Sequence, residues 1–298
     1  MLIARIETLP LRIPFKPNNH AATSAWGDKG LPAADSLLVK VTTDQGIEGW
    51  GETFGFRAVS MAKSAIDELI APLCIGQDAT QIGSLMLDVQ KKLHVFGRSG
   101  ALFYGISAID IALWDIAGKA AGVPVYKLLG GGTADLNCYA SLIRYSDPSL
   151  VRANVRHAID CGFRSLKLHE IELPAVRAAR DEAGPDVELT LDVNCPWTLL
   201  EARAKAAELK EIRLKWLEEP LWPPEDYDGL AQLRRGCGIP IAAGENSSTL
   251  MDFERLLAAE AVDFVQPSVA KMGGHQRVAQ DLSHSRCPQC NGDATLFL

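Results

Sequence analysis

The chain predicts an α/β protein: a parallel sheet of the (β/α)-barrel type, incomplete at its C-terminal end, behind an N-terminal α+β unit. Two observations predict it. Between Phe163 and Asn246, short apolar runs each end on a charged residue where a polar loop begins. Asp192 closes Val187 to Leu191, Glu218 closes Leu214 to Leu217, Glu245 follows Ile239 to Gly244, and Lys167 ends Phe163 to Leu166. Lys167 precedes Asp192 by 25 residues, Asp192 precedes Glu218 by 26, and Glu218 precedes Glu245 by 27. A strand, a loop and a helix fill such a gap, so the stretch is a βα repeat. The second observation is a change of pattern at Gly130-Gly131-Gly132, ahead of which the chain reads as a strand, a hairpin and helices.

Taken in order, Leu2 to Ile13 alternates apolar and polar residues and reads as a strand. Phe15 to Pro32 has no periodicity and reads as a long loop of the kind that often serves as a lid. Ser36 to Thr42 and Ile47 to Gly51 form a hairpin across Thr43-Asp44-Gln45-Gly46, Gly46 being suited to positive φ. Helices follow over 59–73, 79–95 and Ile106 to Ala121. In the last, Ile109, Ala112, Leu113, Ile116, Ala117 and Ala120 make one apolar stripe, and Gly122 and Pro124 stop it. Beyond the glycines, Leu136 to Leu142 is a first strand. A helix runs from Ser146-Asp147-Pro148 to Cys161-Gly162. Strands at about 164–168, 187–192, 213–218, 239–243 and 262–266 complete six. A closed barrel of this class has eight.

The chain has 298 residues, 47% of them apolar, with 30 Lys plus Arg against 37 Asp plus Glu and a net charge of −7. That supports a large core, and the absence of a basic cluster argues against nucleic acid or an anionic membrane as partner. No apolar run approaches the roughly 20 residues that span a bilayer. The N-terminus lacks a signal-peptide pattern. Seven cysteines, mostly alone in apolar runs, suit a reducing cytoplasm rather than a disulfide framework.

Parallel strands bring their C-terminal ends to one edge, so the three carboxylates and Lys167 meet at one mouth. A single acidic residue at a strand end is more often a solvated one, but three in register make coincidence a poor account. Converging carboxylates repel unless a cation joins them, and hard oxygen donors suit Mg²⁺, or Mn²⁺ in its place. Such a metal binds a substrate carboxylate while a base removes the α-proton, giving an enediolate. Lys167 and His169 stand two apart on a strand and share a face. Beside a metal and another cation, Lys167 is expected to have a depressed pKa and to act as the base, with His169 assisting or orienting. Glu219 points away from Glu218 and reads as an anchor. Asn194 either bonds a ligand or caps its loop. Trp197, Trp216 and Trp222 read as core or rim.

These segments resemble the mandelate racemase/muconate lactonizing enzyme group of the enolase superfamily. The matching stretches are Val39 to Glu52, Ser107 to Gly131, Leu166 to His169, Leu191 to Asn194 (LDVN), Trp216 to Pro220 (WLEEP), Gly244 to Asn246 (GEN) and Gln266 to Gly274 (QPSVAKMGG). The resemblance implies an α+β capping domain over 1–132 and a modified TIM-type barrel of about six strands over 133–274. It implies Asp192, Glu218 and Glu245 as Mg²⁺ ligands, Lys167 as a base, and a 15–32 loop that closes over a small carboxylate substrate. Full-length relatives are expected to be homo-oligomers. The chain departs from the pattern at Lys167-Leu-His169, where Lys-x-Lys is frequent, and at Ser268, where many members carry Asp or Lys. The His of the seventh strand is absent. Ser268 and Asn194 are the candidate substrate-binding residues.

The expected activity is dehydration of a sugar acid. Racemisation, epimerisation or cycloisomerisation runs through the same enediolate, and an inactive truncated product is the reading from another class. The last residues, 275–298, fit no element. Cys287 and Cys290 have CxxC spacing, weak evidence for zinc without a second pair. Read one base later, permitted codons of this tail encode a family-like helix and then a strand ending in His, so a frameshift near Gly274 is expected.

Overall fold

The computed structural model describes residues 1–14, 33–132 and 135–275. The loop 15–32, the tail 276–298 with Cys287 and Cys290, and the frameshift expectation attached to that tail lie outside the described residues.

The N-terminal half opens with three antiparallel strands, β1 (Ile3–Pro14), β2 (Ala33–Thr43) and β3 (Glu48–Glu52), in the order β1-β2-β3. The β2–β3 turn is the expected one: the Gly46 N–H donates to the Thr43 carbonyl at 3.0 Å, at φ +79°. Helices α1 (Val59–Ser64), α2 (Ala71–Cys74), α3 (Ile82–Lys92), α4 (Gly100–Ala121) and α5 (Val125–Leu128) follow. The single helix expected over 59–73 is divided, with a π-helical stretch at Ala65–Ile70 ahead of Pro72. Proline has no N–H for the ladder, and a widened turn absorbs the missing bond.

Helix α4 is the spine of this half. Ile106, Ile109, Ala112, Leu113 and Ile116 are fully buried. It starts earlier than the stripe predicts, and the stripe's last member, Ala120, is exposed. The helix has 22 residues, and an 18-residue window of it, with a mean hydropathy of 1.4, is apolar enough to cross a bilayer by length and composition, which corrects the expectation that no run is. Burial in the core explains the composition: 61% of that window is covered by the protein itself. Strand β3 lies directly on α4. A Cβ at Gly49 or Gly51 would overlap the carbonyl oxygens of Ala112 and Ala108, so these two positions require glycine.

The C-terminal half alternates strand and helix: β4 (Ala140–Ser141), α6 (Pro148–Asp160), β5 (Ser165–Leu168), α7 (Leu173–Ala183), β6 (Glu188–Asp192), α8 (Leu199–Leu209), β7 (Leu217–Glu218), α9 (Tyr227–Cys237), β8 (Ile241–Ala243), α10 (Leu250–Ala258) and β9 (Phe264–Val265). The strands form one parallel sheet in sequence order. The first is shorter than expected, since pairing begins only at Ala140↔Leu166 and Leu136 is 82% exposed. The register sets Asp192 directly across from Glu218, and Lys167 beside Thr190 one strand earlier. One apolar core lies between this sheet and its helices, and a second lies within the N-terminal half. Polar bonds join the halves: the Gly273 N–H donates to Ser107 Oγ at 2.9 Å, and the His275 N–H to Asp110 Oδ1 at 2.7 Å.

Candidate active site

The C-terminal edge of the parallel sheet gathers the predicted residues into two groups. The first is tight. Lys167 Nζ lies 2.9 Å from Asp192 Oδ2 and 2.6 Å from Glu218 Oε1, and all three residues are buried. Asp192 Oδ1 accepts from both the backbone and the side-chain amide of Asn194, at 3.0 and 2.9 Å. Glu218 Oε2 accepts from the Trp216 indole at 3.0 Å. His169 shares the face of Lys167, as two-residue spacing on a strand requires. Its Nδ1 is 2.6 Å from the Leu142 carbonyl and its Nε2 is 3.5 Å from Asp192 Oδ2.

The charges of this group are interlocked. Burial opposes a charge on Lys167, but Asp192 and Glu218 outweigh it and raise the ammonium pKa. The depressed amine expected from the sequence belongs to a site with a cation bound beside Lys167; here its neighbours are the two anions. Burial also pushes the Asp192 carboxyl up, yet His169 and Lys167 hold it far below the usual range. Glu218, buried beside Asp192, is pushed up.

The second group is looser. Glu245 follows Gly244 past the end of β8, its side chain 36% exposed, and its Oε1 lies 3.2 Å from Lys271 Nζ. The Lys271 ammonium also sits 4.3 Å over the Phe54 ring, which comes from the N-terminal half. Glu219 turns away from Glu218, as expected, with backbone φ +47°. Both its oxygens accept from the Asn246 amide, at 2.8 and 2.9 Å. Burial and the charges of Glu245 and Asp192 push its pKa to about 8. Ser268 lies half-buried just past β9, where its carbonyl accepts from the Lys271 and Met272 amides.

Among the described residues, no three His, Cys, Asp or Glu side chains stand close enough to hold a metal ion as they are. The reason is visible in the pairing: Lys167 occupies Asp192 and Glu218, while Lys271 draws Glu245 aside. The donor set nonetheless suits a hard divalent cation. Asp192, Glu218 and Glu245 supply carboxylate oxygens, the hard donors that such an ion takes. Trp216 and Lys271 escaped sequence reading as site residues. The Trp216 indole, two residues before Glu218 on one strand face, was within reach of the spacing argument. Lys271 was visible only as part of a motif.

Residues 19–130 match the N-terminal domain model of the mandelate racemase/muconate lactonizing enzymes, and 150–282 match the enolase C-terminal domain-like model. The chain is 31% identical to the arabinonate dehydratase of Saccharolobus solfataricus, over 83% of this chain and 69% of the relative. It is 30% identical to the 3,6-anhydro-alpha-L-galactonate cycloisomerase of Streptomyces coelicolor, over 92% and 77%. The crystal structure of a Streptomyces coelicolor racemase with bound magnesium superposes with a TM-score of 0.86 at 29% identity, covering 95% of this chain and 80% of that one. With both domain models matched in order and a relative 31% identical over most of the chain, the chain belongs to the mandelate racemase/muconate lactonizing enzyme family of the enolase superfamily.

Proposed function

We propose that this chain removes the proton α to the carboxylate of a small hydroxy acid, and that the outcome is dehydration of a sugar acid. The observation that carries the reading is that Lys167, on β5, lies against Asp192 and Glu218 while His169, just past the end of β5, lies against Asp192. Asp192, Glu218 and Glu245 would hold Mg²⁺, with Mn²⁺ as a substitute. When bound, the metal supplies a Lewis acid that steadies charge on the substrate carboxylate. The two separate cores support a division into a capping unit, 1–132, and a barrel unit, 133–274.

The chain's own groups divide the proton work. Because a carbonyl only accepts, His169 Nδ1 carries its proton toward Leu142, and Nε2 is the nitrogen left to take or give a proton at the mouth. Lys167, the base expected from the sequence, is enclosed by two carboxylates. The bonded geometry favours His169 as the group that moves the α-proton, with Lys167 fixing Asp192 and Glu218. Asn194 orients Asp192 and, with Ser268, faces substrate. Solvent-deuterium exchange into an acid-sugar substrate tests the assignment. It should stop in His169→Ala and persist, weakened, in Lys167→Ala with metal still bound. The reverse pattern returns the base to Lys167, and no exchange with any acid sugar in the metal-loaded native chain favours an inactive product.

Cycloisomerisation is the second reading, favoured by the similarity to the Streptomyces coelicolor cycloisomerase. Product mass separates the two: dehydration removes one water, and isomerisation leaves the mass unchanged.

A further inference from the structure

We propose that Arg144 receives a second anionic group of the substrate, so that the chain selects acid sugars with a carboxylate at each end over those with one. The proposal rests on the α-proton reading above and names its substrate class. Arg144 stands just past β4 at the same edge as the reacting groups. Its Nε donates to the His169 carbonyl at 2.6 Å, and its Nη2 lies 3.4 Å from Asn194 Oδ1. A guanidinium has five N–H donors, and these two contacts use two of them. Among the described residues, no carboxylate oxygen lies within 4.0 Å of it. The nearby Glu170 carboxylate accepts instead from the backbone amides of Tyr145 and Ser146, at 2.7 and 2.9 Å.

The other cations of this edge are occupied. Lys167 is paired with Asp192 and Glu218, and Lys271 with Glu245. A second substrate carboxylate entering a mouth lined by Asp192, Glu218 and Glu245 is repelled unless it meets a cation with donors to spare. Arg144 is half-buried, held in direction by two bonds, and retains a fork that matches a carboxylate bidentately. Burial favours losing the charge, but a guanidinium keeps it, so the group is ready for an anion. The competing account is that Arg144 only positions His169 and Asn194. That account predicts the same loss on every substrate.

The test compares a six-carbon diacid, galactarate, with the matching monoacid, galactonate, on the magnesium-loaded chain. Affinity is read by calorimetry, and α-proton exchange in D₂O is read in parallel. The native chain should prefer the diacid. Arg144→Gln should lower the diacid-to-monoacid affinity ratio by about 10- to 100-fold, the range of a charge-assisted hydrogen bond, and Arg144→Lys should recover part of it. A native chain without that preference, or an equal fall on both acids in Arg144→Gln, overturns the proposal. Loss of exchange on both acids with the binding preference intact overturns the reaction and leaves the anion site standing.

Discussion

The two walls of the mouth are built on different terms. On the β5–β7 wall, Lys167, Asp192 and Glu218 are buried, bonded to one another, and supplied by three adjacent strands of one sheet. On the β8–β9 wall, Glu245 is a third exposed and its partner Lys271 leans on Phe54 of the other half. The segment after Lys271 is bonded to α4 at Ser107 and Asp110. One wall is self-sufficient; the other depends on how the two halves dock. Buried charges tolerate no missing partner, whereas a partly exposed carboxylate falls back on water.

The largest effect that tests this contrast is Lys167→Met. It leaves two buried carboxylates facing each other, and breaking a buried ion cluster costs about 3–5 kcal/mol. Urea unfolding of the metal-free protein should show that loss, and added Mg²⁺ should recover much of it by standing in for the ammonium. A loss below about 1 kcal/mol, within the range of a surface pair, would break the distinction between the walls.

Next in size is Ser107→Ala, which removes the acceptor of the Gly273 N–H at a fully buried site. A buried donor left without a partner costs about 1–3 kcal/mol. On this contrast the variant should also weaken metal affinity through Glu245, although Ser107 lies in the other half. Unchanged metal affinity in a destabilised Ser107→Ala would confine the bond to docking. Smaller again is Lys271→Met. Glu245 turns to solvent and the aromatic contact is lost, together about 1 kcal/mol. A cost equal to that of Lys167→Met would make the walls alike.

What the sequence revealed follows the same line. Asp192, Glu218 and Glu245 were legible because each ends an apolar run, and strand register carries local pattern directly into space. The contacts between the halves were not: Lys271 with Phe54, and Ser107 with Gly273, join residues more than 160 positions apart, and no periodicity encodes such a contact. The charge state of Lys167 is set in a related way. Its face was predictable from spacing, but which charges surround it depends on three strands at once. The short β4 and the divided helix before Pro72 show pairing and proline chemistry overriding hydrophobic pattern.

The smallest effect lies where the two halves meet. His275 follows the glycines after Lys271, and its backbone N–H is held by Asp110. Burial lowers its imidazole pKa below the ordinary 6.5. The sign follows from proton counting. Below about pH 6.5 the unfolded chain binds this proton and the folded chain resists it, so stability rises with pH there and is lost as pH falls. Replacing the group removes that slope without touching the β5–β7 wall. His275→Gln should therefore lose less stability than the native chain between pH 7.5 and pH 5.5, as read by melting temperature, with the difference confined to the acidic side. If the two melting curves fall in parallel across that window, His275 does not sense burial between the halves, and the pH response of the loose wall must come from its carboxylates.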